Sequence, residues 1–235
     1  MENKVEIYYD NFKSRQIKTG LNARHRFIIT SLKRAGLKKH HHVWEIGCGI
    51  GVISGKLAKF VSKGNVLGVD LSSKSIEFAK NKYSKLKNIR FIASDILNAQ
   101  ISEKFDVIVM PDVLEHIPKE SHLEIFAKLR TSISNNGFLC INIPTSDYLE
   151  YLSVNNPEKL QIIDQPIEAN ELITNAEKNG FQLTYFKTYS LFIDKNDYRL
   201  MIFKTKQPYK SVNFISGLNK NIREAKSILR FFING

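Results

Sequence analysis

Residues 43–52, V-W-E-I-G-C-G-I-G-V, constrain the fold of this chain more than any other stretch. An apolar run ends in three glycines, and the apolar residues after them recur at helical spacing, as Ile53 and Leu57 do. Glycine has no Cβ, so its backbone adopts positive φ and can lie close to a ligand. The pattern therefore predicts a strand, a tight turn and a helix. The turn either holds a ligand at the free N–H groups of the helix or is purely structural.

The spacing of the glycines separates two kinds of nucleotide-binding turn. The dinucleotide pattern G-x-G-x-x-G/A needs a glycine or alanine where Val52 stands. The chain instead has G-x-G-x-G over residues 47–51, with Glu45 two positions before the first glycine. This E-x-G-x-G-x-G arrangement resembles motif I of class I S-adenosylmethionine (SAM)-dependent methyltransferases. It disfavours a dinucleotide-dependent dehydrogenase.

A second strand, residues 65–70, ends in Asp70, which lies 23 residues after Gly47. An acid at about this distance in a βαβ nucleotide site accepts hydrogen bonds from the ribose, and a carboxylate can accept two at once. NAD and SAM both contain a ribose, so Asp70 predicts a nucleoside ligand without choosing between them. A helix over residues 73–84 follows, with Ser72 or Ser73 as its N-cap.

Two later segments extend the resemblance. The third strand, residues 88–96, contains Asp95 and Ile96. The family pattern implies that this acid accepts from the adenine amine and that the next backbone N–H meets the ring, a requirement that dehydrogenases lack. The fourth strand, residues 105–110, runs into P-D-V-L-E-H-I-P at 111–118. This run resembles motif IV of the methyltransferase branch with L-E-H-I/V after strand four, a segment beside the transferable methyl group.

The resemblance covers residues 43–144 and extends more loosely through a helix at Ala169–Lys178 and strands at 181–189 and 197–204. It implies an α/β fold, a three-layer Rossmann-like sandwich with helices on both faces of a seven-stranded, mostly parallel sheet whose seventh strand is antiparallel. We expect one domain over residues 1–235. Its parts are an N-terminal helical cap (1–42), a SAM-binding core (43–205) and a basic amphipathic C-terminal helix (206–235).

Two segments are expected to cover the acceptor. The apolar spacing predicts a helix over residues 22–34 that ends at Gly36. Residues 145–166 form a long, weakly patterned insert of the kind that often binds ligands. The resemblance implies a set of lid or acceptor contacts, while packing on the core would explain the same aromatic residues. The candidates are Tyr8, Tyr9, Arg24, His25 and Tyr148.

The resemblance also assigns the cofactor site. It implies that Glu45 orients the glycine turn and the methionine amine of SAM, and that main-chain groups near residues 110–112 hold the same amine. Acids at strand ends suit a sulfonium cation, although aspartates there also serve as ordinary caps. The implied cofactor-binding residues are Glu45, Gly47, Cys48, Gly49, Gly51, Asp70, Leu71, Asp95, Ile96, Met110 and Asp112.

His116 is the candidate general base, because histidine titrates near neutral pH and the resemblance puts it beside the methyl group. Glu115 is the second candidate. A structural histidine that caps the turn is the alternative for His116. A metal-assisted mechanism would recruit His122 as well, but no second acid-rich cluster supports it, and we expect no metal. The three histidines at 40–42 predict a solvated loop.

The net charge of +12 is concentrated at the two ends of the chain. Residues 1–42 carry +7 and residues 204–235 carry +6. Such ends suit an anionic acceptor, nucleic acid or an anionic membrane face, or they are simply solvated. Residues 212–232 place apolar side chains on one helical stripe. We expect this helix to dock on the domain or on a second subunit of a homodimer, with peripheral membrane contact as the alternative.

Composition points to the cytoplasm. No apolar run approaches the roughly 18 residues of a membrane-spanning helix, and the first residues do not resemble a signal peptide. The chain has two cysteines, Cys48 and Cys140, which we expect to be buried free thiols.

These observations predict a SAM-dependent methyltransferase that acts by in-line displacement on an oxygen (or nitrogen) of a small metabolite, a sugar or a lipid-linked intermediate. RNA methylation is the first alternative, with the basic ends binding phosphate. Against it, Asp112 and its neighbours replace the N-P-P-Y-like motif of nucleobase amino-group methylation. A non-catalytic partner subunit is the second alternative. The intact glycines and Asp70 argue against it.

Overall fold

A computed structural model describes residues 16–207 and 222–227 of the chain. The strands in this part are β1 (Val43–Ile46), β2 (Val66–Asp70), β3 (Ile89–Ala93), β4 (Phe105–Pro111), β5 (Ile133–Pro144), β6 (Phe181–Tyr189) and β7 (Tyr198–Thr205). The α-helices with defined ends are α1 (Ala23–Ala35), α2 (Val52–Phe60), α3 (Ser73–Lys82), α4 (His122–Ser132), α5 (Ser146–Asn155) and α6 (Ala169–Lys178). Short 3-10 turns cover Leu114–His116, Lys119–Ser121 and Pro157–Lys159. Residues 16–19 and 222–227 are also helical.

The strands form one seven-stranded sheet in the order β3-β2-β1-β4-β5-β7-β6. Neighbours from β3 to β5 are parallel, whereas β7 runs antiparallel to both β5 and β6. The predicted fold, with its antiparallel seventh strand, is confirmed. The strand order reverses at β1, which has β2 on one side and β4 on the other. Open α/β sheets bind ligands beyond the carboxyl ends of the strands at such a point.

Helices cover both faces of this sheet. On one face, Phe126 of α4 and Leu172 of α6 pack into a cluster with Trp44 of β1. On the other face, Ile28 of α1 and Leu57 of α2 pack into a second cluster with neighbouring strand residues. A strand that is covered on both faces has no solvent-facing side, and all four residues of β1 are accordingly buried. The sheet is therefore the middle layer of three.

Capping residues explain the ends of α1 and α3. The Asn22 side chain accepts a hydrogen bond from the His25 N–H at 3.0 Å, and α1 ends at Gly36, whose φ of 112° only glycine adopts easily. Ser72 caps α3 by accepting from the Ser75 N–H at 3.1 Å. These are the start and stop signals expected from the sequence.

The structure differs most from the prediction in four places. β3 ends at Ala93, before the predicted end at residue 96, so Asp95 and Ile96 follow the strand. The insert at 145–166 contains α5 and a 3-10 turn, so it is not a plain loop. Its helical pattern is weak in the sequence because apolar residues lie on both sides of α5. Leu149 and Leu152 are buried, whereas Tyr151 and Val154 are exposed. β5 begins at Ile133, before the expected position 137. α3 ends at Lys82, two residues before the predicted end.

Tyr8, Tyr9 and most of the C-terminal helix at 212–232 lie outside the described residues, apart from the helical residues 222–227. The division of the chain into cap, core and tail stays a prediction. Among the described residues, no helix combines the length and apolar character needed to cross a membrane.

Candidate active site

The glycine turn is pinned between β2 and the segment that follows β4. The N–H groups of Gly47 and Cys48 both donate to the Val69 carbonyl oxygen, at 2.8 and 3.0 Å. Gly47 has a φ of 72°, and a Cβ there would stand 2.4 Å from a methyl carbon of Val113. Glycine is required at this position for both reasons, because other residues rarely adopt such a φ and would also collide. The turn after β1 therefore lies directly against the start of motif IV.

Asp70 is joined to the same turn. One carboxylate oxygen accepts from the Gly49 N–H at 2.7 Å and the other from the Ser72 N–H at 2.9 Å. The carboxylate thus bridges the glycine turn and the start of α3. The structure therefore brings together the two predicted parts of the cofactor site, the turn and the ribose acid.

Gln16 reaches the glycine turn from outside the predicted motifs. Its side-chain oxygen accepts from the Ile50 N–H at 3.3 Å. A Cβ on Gly49 would lie 2.6 to 2.9 Å from the Gln16 amide group, so this amide covers the glycine. Sequence reasoning missed this contact, since a single glutamine in a polar segment carries no local signal.

The Glu45 side chain is joined to α2 by a hydrogen bond. It is buried and accepts a hydrogen bond from the Ser54 hydroxyl. Burial raises the pKa of Glu45 to about 8; the bonds from Ser54 oppose that rise, and the Asp70 charge adds to it. Its implied roles, to orient the glycine turn and to contact the methionine amine, stay predictions.

The remaining cofactor candidates divide by exposure. Asp95 is exposed beyond the end of β3, where its carboxylate accepts from the Leu97 N–H at 2.7 Å. The side chains of Ile96 and Met110 lie in the core, so these residues offer only main-chain groups to a ligand. Leu71, between Asp70 and Ser72, is half-buried.

Both cysteines are buried free thiols. Burial raises the pKa of Cys48 well above its ordinary value, and the Asp70 and Glu45 charges add to the effect. Burial also raises the pKa of Cys140. Cys48 packs beneath the turn, where a Cβ on Gly68 would be 2.9 Å from its sulfur. The thiol therefore packs in the core, and the predicted contact of Cys48 with the cofactor stays a prediction.

Asp112 begins a second group of residues at the carboxyl edge. It is the one non-glycine residue with positive φ, at 52°, in the described part of the chain. Its N–H donates to the Asn142 carbonyl oxygen at 2.8 Å, and its carboxylate is 2.7 Å from Nη1 of Arg24. Aspartate tolerates this conformation better than most residues, but strained backbone concentrates at functional sites.

Arg24 of α1 and the ends of β5, β6 and β7 complete this group. Nη1 of Arg24 donates to the Tyr198 hydroxyl at 3.0 Å, and the Tyr189 hydroxyl is 2.7 Å from Oδ1 of Asn142. The rings of Phe27 and Tyr189 lie 4.2 Å apart between centroids, and those of Tyr189 and Tyr198 5.9 Å apart. The result is an aromatic wall beside a buried polar cluster, which the sequence alone did not reveal.

Several buried polar atoms at this edge have no hydrogen-bond partner within the described residues. Two are donors, Nε of Arg24 and Nδ2 of Asn142, and two are acceptors, Oδ1 of Asp112 and Oε2 of Glu115. An unpaired buried polar atom costs about 1–3 kcal/mol, so a group of four calls for an explanation. A polar ligand that completes these bonds would provide one.

Both ring nitrogens of His116 are engaged. Nδ1 lies 2.7 Å from the Ile163 carbonyl oxygen and 2.9 Å from Oδ1 of Asp164, and Nε2 lies 3.1 Å from the side-chain amide of Gln161. Burial acts to lower the pKa of His116, but the charges of Glu115 and Asp164 outweigh it and raise that pKa to about 9. A charged imidazole has no lone pair with which to accept a proton. This geometry makes His116 an anchor for residues 161–164, and its predicted role as a base stays untested.

Glu115 differs from its neighbour. Its side chain is 1% exposed, and burial raises its pKa to about 8 although the His116 charge acts to lower it. His122 lies 3.0 Å from the carbonyl oxygens of both Leu114 and Ile117 and so closes the 3-10 turn. The described residues contain no group of three or more His, Cys, Asp or Glu side chains arranged to hold a metal ion.

Two further lid candidates lie within the described residues, and their predicted contacts with the acceptor stay predictions. His25 completes the capping box of α1, and burial together with the Arg24 charge lowers its pKa to about 4. Tyr148 lies on α5 near Asp197, and partial burial raises its pKa. Of the five lid candidates, the described residues place Arg24 within the polar cluster.

The chain belongs to the family of methyltransferase domains, whose model matches residues 37–207. It is 26% identical over 148 residues to malonyl-[acyl-carrier protein] O-methyltransferase 1 of Ilyobacter polytropus, covering 61% of this chain and 54% of that protein. It is 31% identical over 156 residues to ubiquinone biosynthesis O-methyltransferase of Coxiella burnetii, covering 62% and 65%. The chain thus spans roughly half to two thirds of the length of these relatives.

The fold is that of a SAM-dependent methyltransferase from Clostridium acetobutylicum ATCC 824, with a TM-score of 0.69 at 15% identity over 85% of this chain and 99% of that one. The predicted family is therefore confirmed, and SAM is the cofactor of that family. The residues present fit it: Asp70 stands at the glycine turn, and acids line the carboxyl edge where a cation would lie.

Proposed function

We propose that this protein is a SAM-dependent O-methyltransferase whose acceptor is a hydroxyl group on an aromatic ring. The observation that carries the proposal is the cluster of unpaired donors and acceptors around Asp112 and Asn142, beside the rings of Phe27, Tyr189 and Tyr198. Two O-methyltransferases among its relatives support oxygen as the accepting atom.

SAM supplies a methyl group that is already activated by a positively charged sulfur. The protein has mainly to orient the acceptor against this methyl group and to remove the proton of the acceptor hydroxyl. In this proposal the glycine turn holds the methionine part and Asp70 accepts from the ribose hydroxyls. Asp95 accepts from the adenine amine.

A hydroxyl group matches the unpaired atoms better than an anion does. Its oxygen can accept from Nδ2 of Asn142 while its hydrogen is donated to Oε2 of Glu115. A carboxylate or phosphate has no hydrogen to donate and would place its negative charge against the Asp112 carboxylate. The Arg24 charge does not offset this repulsion, because Arg24 is already paired with Asp112. This argument also disfavours the phosphate backbone of RNA as a neighbour of the reacting group.

Glu115 is the proton acceptor in this proposal. Its Oε2 has no partner among the described residues, and its pKa of about 8 suits a base at neutral pH. A phenolic hydroxyl has a pKa of about 10, roughly two units higher, whereas an alcohol resembles water at about 15.7. The proton transfer is therefore far easier from an aromatic hydroxyl than from a sugar. His116 holds Glu115 and the segment 161–164 in place.

The test uses SAM labelled on its methyl group and separate panels of catechols, sugars, carboxylic acids and total RNA. We expect label in the catechol products as a methyl ether, which survives mild alkali. Label that is released as methanol by alkali would reveal a methyl ester and overturn the proposed acceptor. Label in RNA would restore the first alternative. Binding of the cofactor without transfer to any panel would favour a non-catalytic partner subunit.

A further inference from the structure

The Gln16 side chain lies over the glycine turn in a way that gives its two polar atoms different tasks. Oε1 accepts from the Ile50 N–H at 3.3 Å. This bond satisfies a main-chain donor of the glycine turn, one residue before Gly51, the N-cap of α2. Because Oε1 must face Ile50, the orientation of the amide is determined and Nε2 faces the other way.

Nε2 of Gln16 is a donor at the mouth of the turn. It would stand 2.6 Å from a Cβ on Gly49, so it occupies the space that the glycine leaves open. Gln16 is half-buried, and within the described residues the one hydrogen bond of its side chain is the bond to Ile50. Asp70, on the same turn, is an acceptor for hydroxyl or amine groups. Donor and acceptor therefore stand side by side at the turn.

We propose that Gln16 is a cofactor-binding residue whose Nε2 donates to the carboxylate at the amino-acid end of SAM. An amide N–H₂ group donates and cannot accept, so it complements a carboxylate and not the neighbouring ammonium group. Because the ribose is expected to bind Asp70, Nε2 of Gln16 above Gly49 is available for the amino-acid end of SAM. The inference rests on the proposed cofactor and is independent of the proposed acceptor.

Two ligands separate this role from a general effect on the turn. S-adenosylhomocysteine contains the amino-acid carboxylate, whereas 5′-methylthioadenosine has the same adenine and ribose without it. Their affinities are measured by calorimetry on the full chain and on the variants Gln16→Ala and Gln16→Glu. Lys18→Ala is the control, because Lys18 is exposed on the same helical turn.

Gln16→Ala should weaken S-adenosylhomocysteine binding about tenfold, the effect of one hydrogen bond to a charged group. Gln16→Glu keeps the shape but sets two carboxylates together, so the loss should be larger, about a hundredfold. The affinity of both variants for 5′-methylthioadenosine should stay within about twofold of the wild-type value, which would show that the nucleoside site is intact. Lys18→Ala should change neither affinity.

Three results would overturn the role of Gln16. They are unchanged S-adenosylhomocysteine affinity in both variants, equal losses for both ligands, and equal losses from the alanine and glutamate variants. If wild-type protein binds neither ligand, the cofactor assignment fails together with this role. A protein that binds both ligands with the expected pattern but methylates no catechol would retain the role of Gln16 and refute only the proposed acceptor.

Discussion

The ion pair between Arg24 and Asp112 should connect the stability of α1 to the geometry of the site. Arg24→Met keeps most of the aliphatic stem but removes the cation. It leaves the Asp112 carboxylate partly buried without its partner at 2.7 Å. Asp112→Asn makes the opposite change and keeps a residue that tolerates the positive φ of 52°. Neither variant therefore adds a backbone penalty.

The expected cost follows from how far the two side chains are buried. Their exposed fractions are 21% and 16%, between a surface pair, worth about 0–1 kcal/mol, and a fully buried one, whose disruption costs about 3–5 kcal/mol. We therefore expect Arg24→Met to lower the free energy of unfolding by about 2–3 kcal/mol, taken between these limits. In a chain of this size that loss corresponds to a fall in Tm of about 4–12 °C.

Urea unfolding of the wild type, both single variants and the double variant gives the coupling between the two residues. The double variant should be more stable than the sum of the single losses implies, by about 1–2 kcal/mol. Arg26→Met is the matched control, since Arg26 is exposed on the same helix, and it should change stability by less than about 0.5 kcal/mol. A coupling below about 0.5 kcal/mol would show that the pair is a solvated surface contact.

Three further predictions concern the turn and motif IV. Gly47→Ala should abolish S-adenosylhomocysteine binding in calorimetry, because its Cβ would meet Val113 at 2.4 Å. Adding Val113→Ala removes the collision but not the φ of 72°, so it should recover only part of the stability that Gly47→Ala loses. Full recovery would contradict the strain argument. Glu115→Gln should reduce transfer to a catechol about 10²–10⁴-fold. The wild-type rate should rise as the pH approaches about 8 and level off above it, because the ionised carboxylate is the base; a rate independent of pH over this range would exclude that role. His116→Ala should speed proteolysis within residues 161–164, which lose their contacts with the ring, while His40→Ala, on an exposed residue, should not; equal cleavage would show that His116 anchors nothing.

The parts of the fold that depend on nearby residues were predictable from the sequence. The glycine turn, Asp70 at the end of β2 and the cap of α1 each depend on residues a few positions apart or on one βα unit. Apolar runs also identified β1, β2 and β4, because strands covered on both faces need mostly apolar side chains.

The acceptor side could not be predicted in the same way. Asn142, Tyr189 and Tyr198 come from three different strands and meet only because β7 lies between β5 and β6. The partners of His116 are 45 and more residues further along the chain. Sequence could place His116 near the site, but not show that its ring nitrogens were already occupied.

The buried cysteines make the protein convenient for site-specific labelling. Cys48 and Cys140 are the chain's two cysteines, both are shielded from solvent, and burial raises the pKa of each thiol. Maleimides react with the thiolate of accessible cysteines, so both native residues should stay unlabelled in the folded protein. A Lys18→Cys substitution on the exposed side of the turn at 16–19 would then carry a single fluorophore. Its emission would report how the turn that bears Gln16 responds when a nucleoside enters the site.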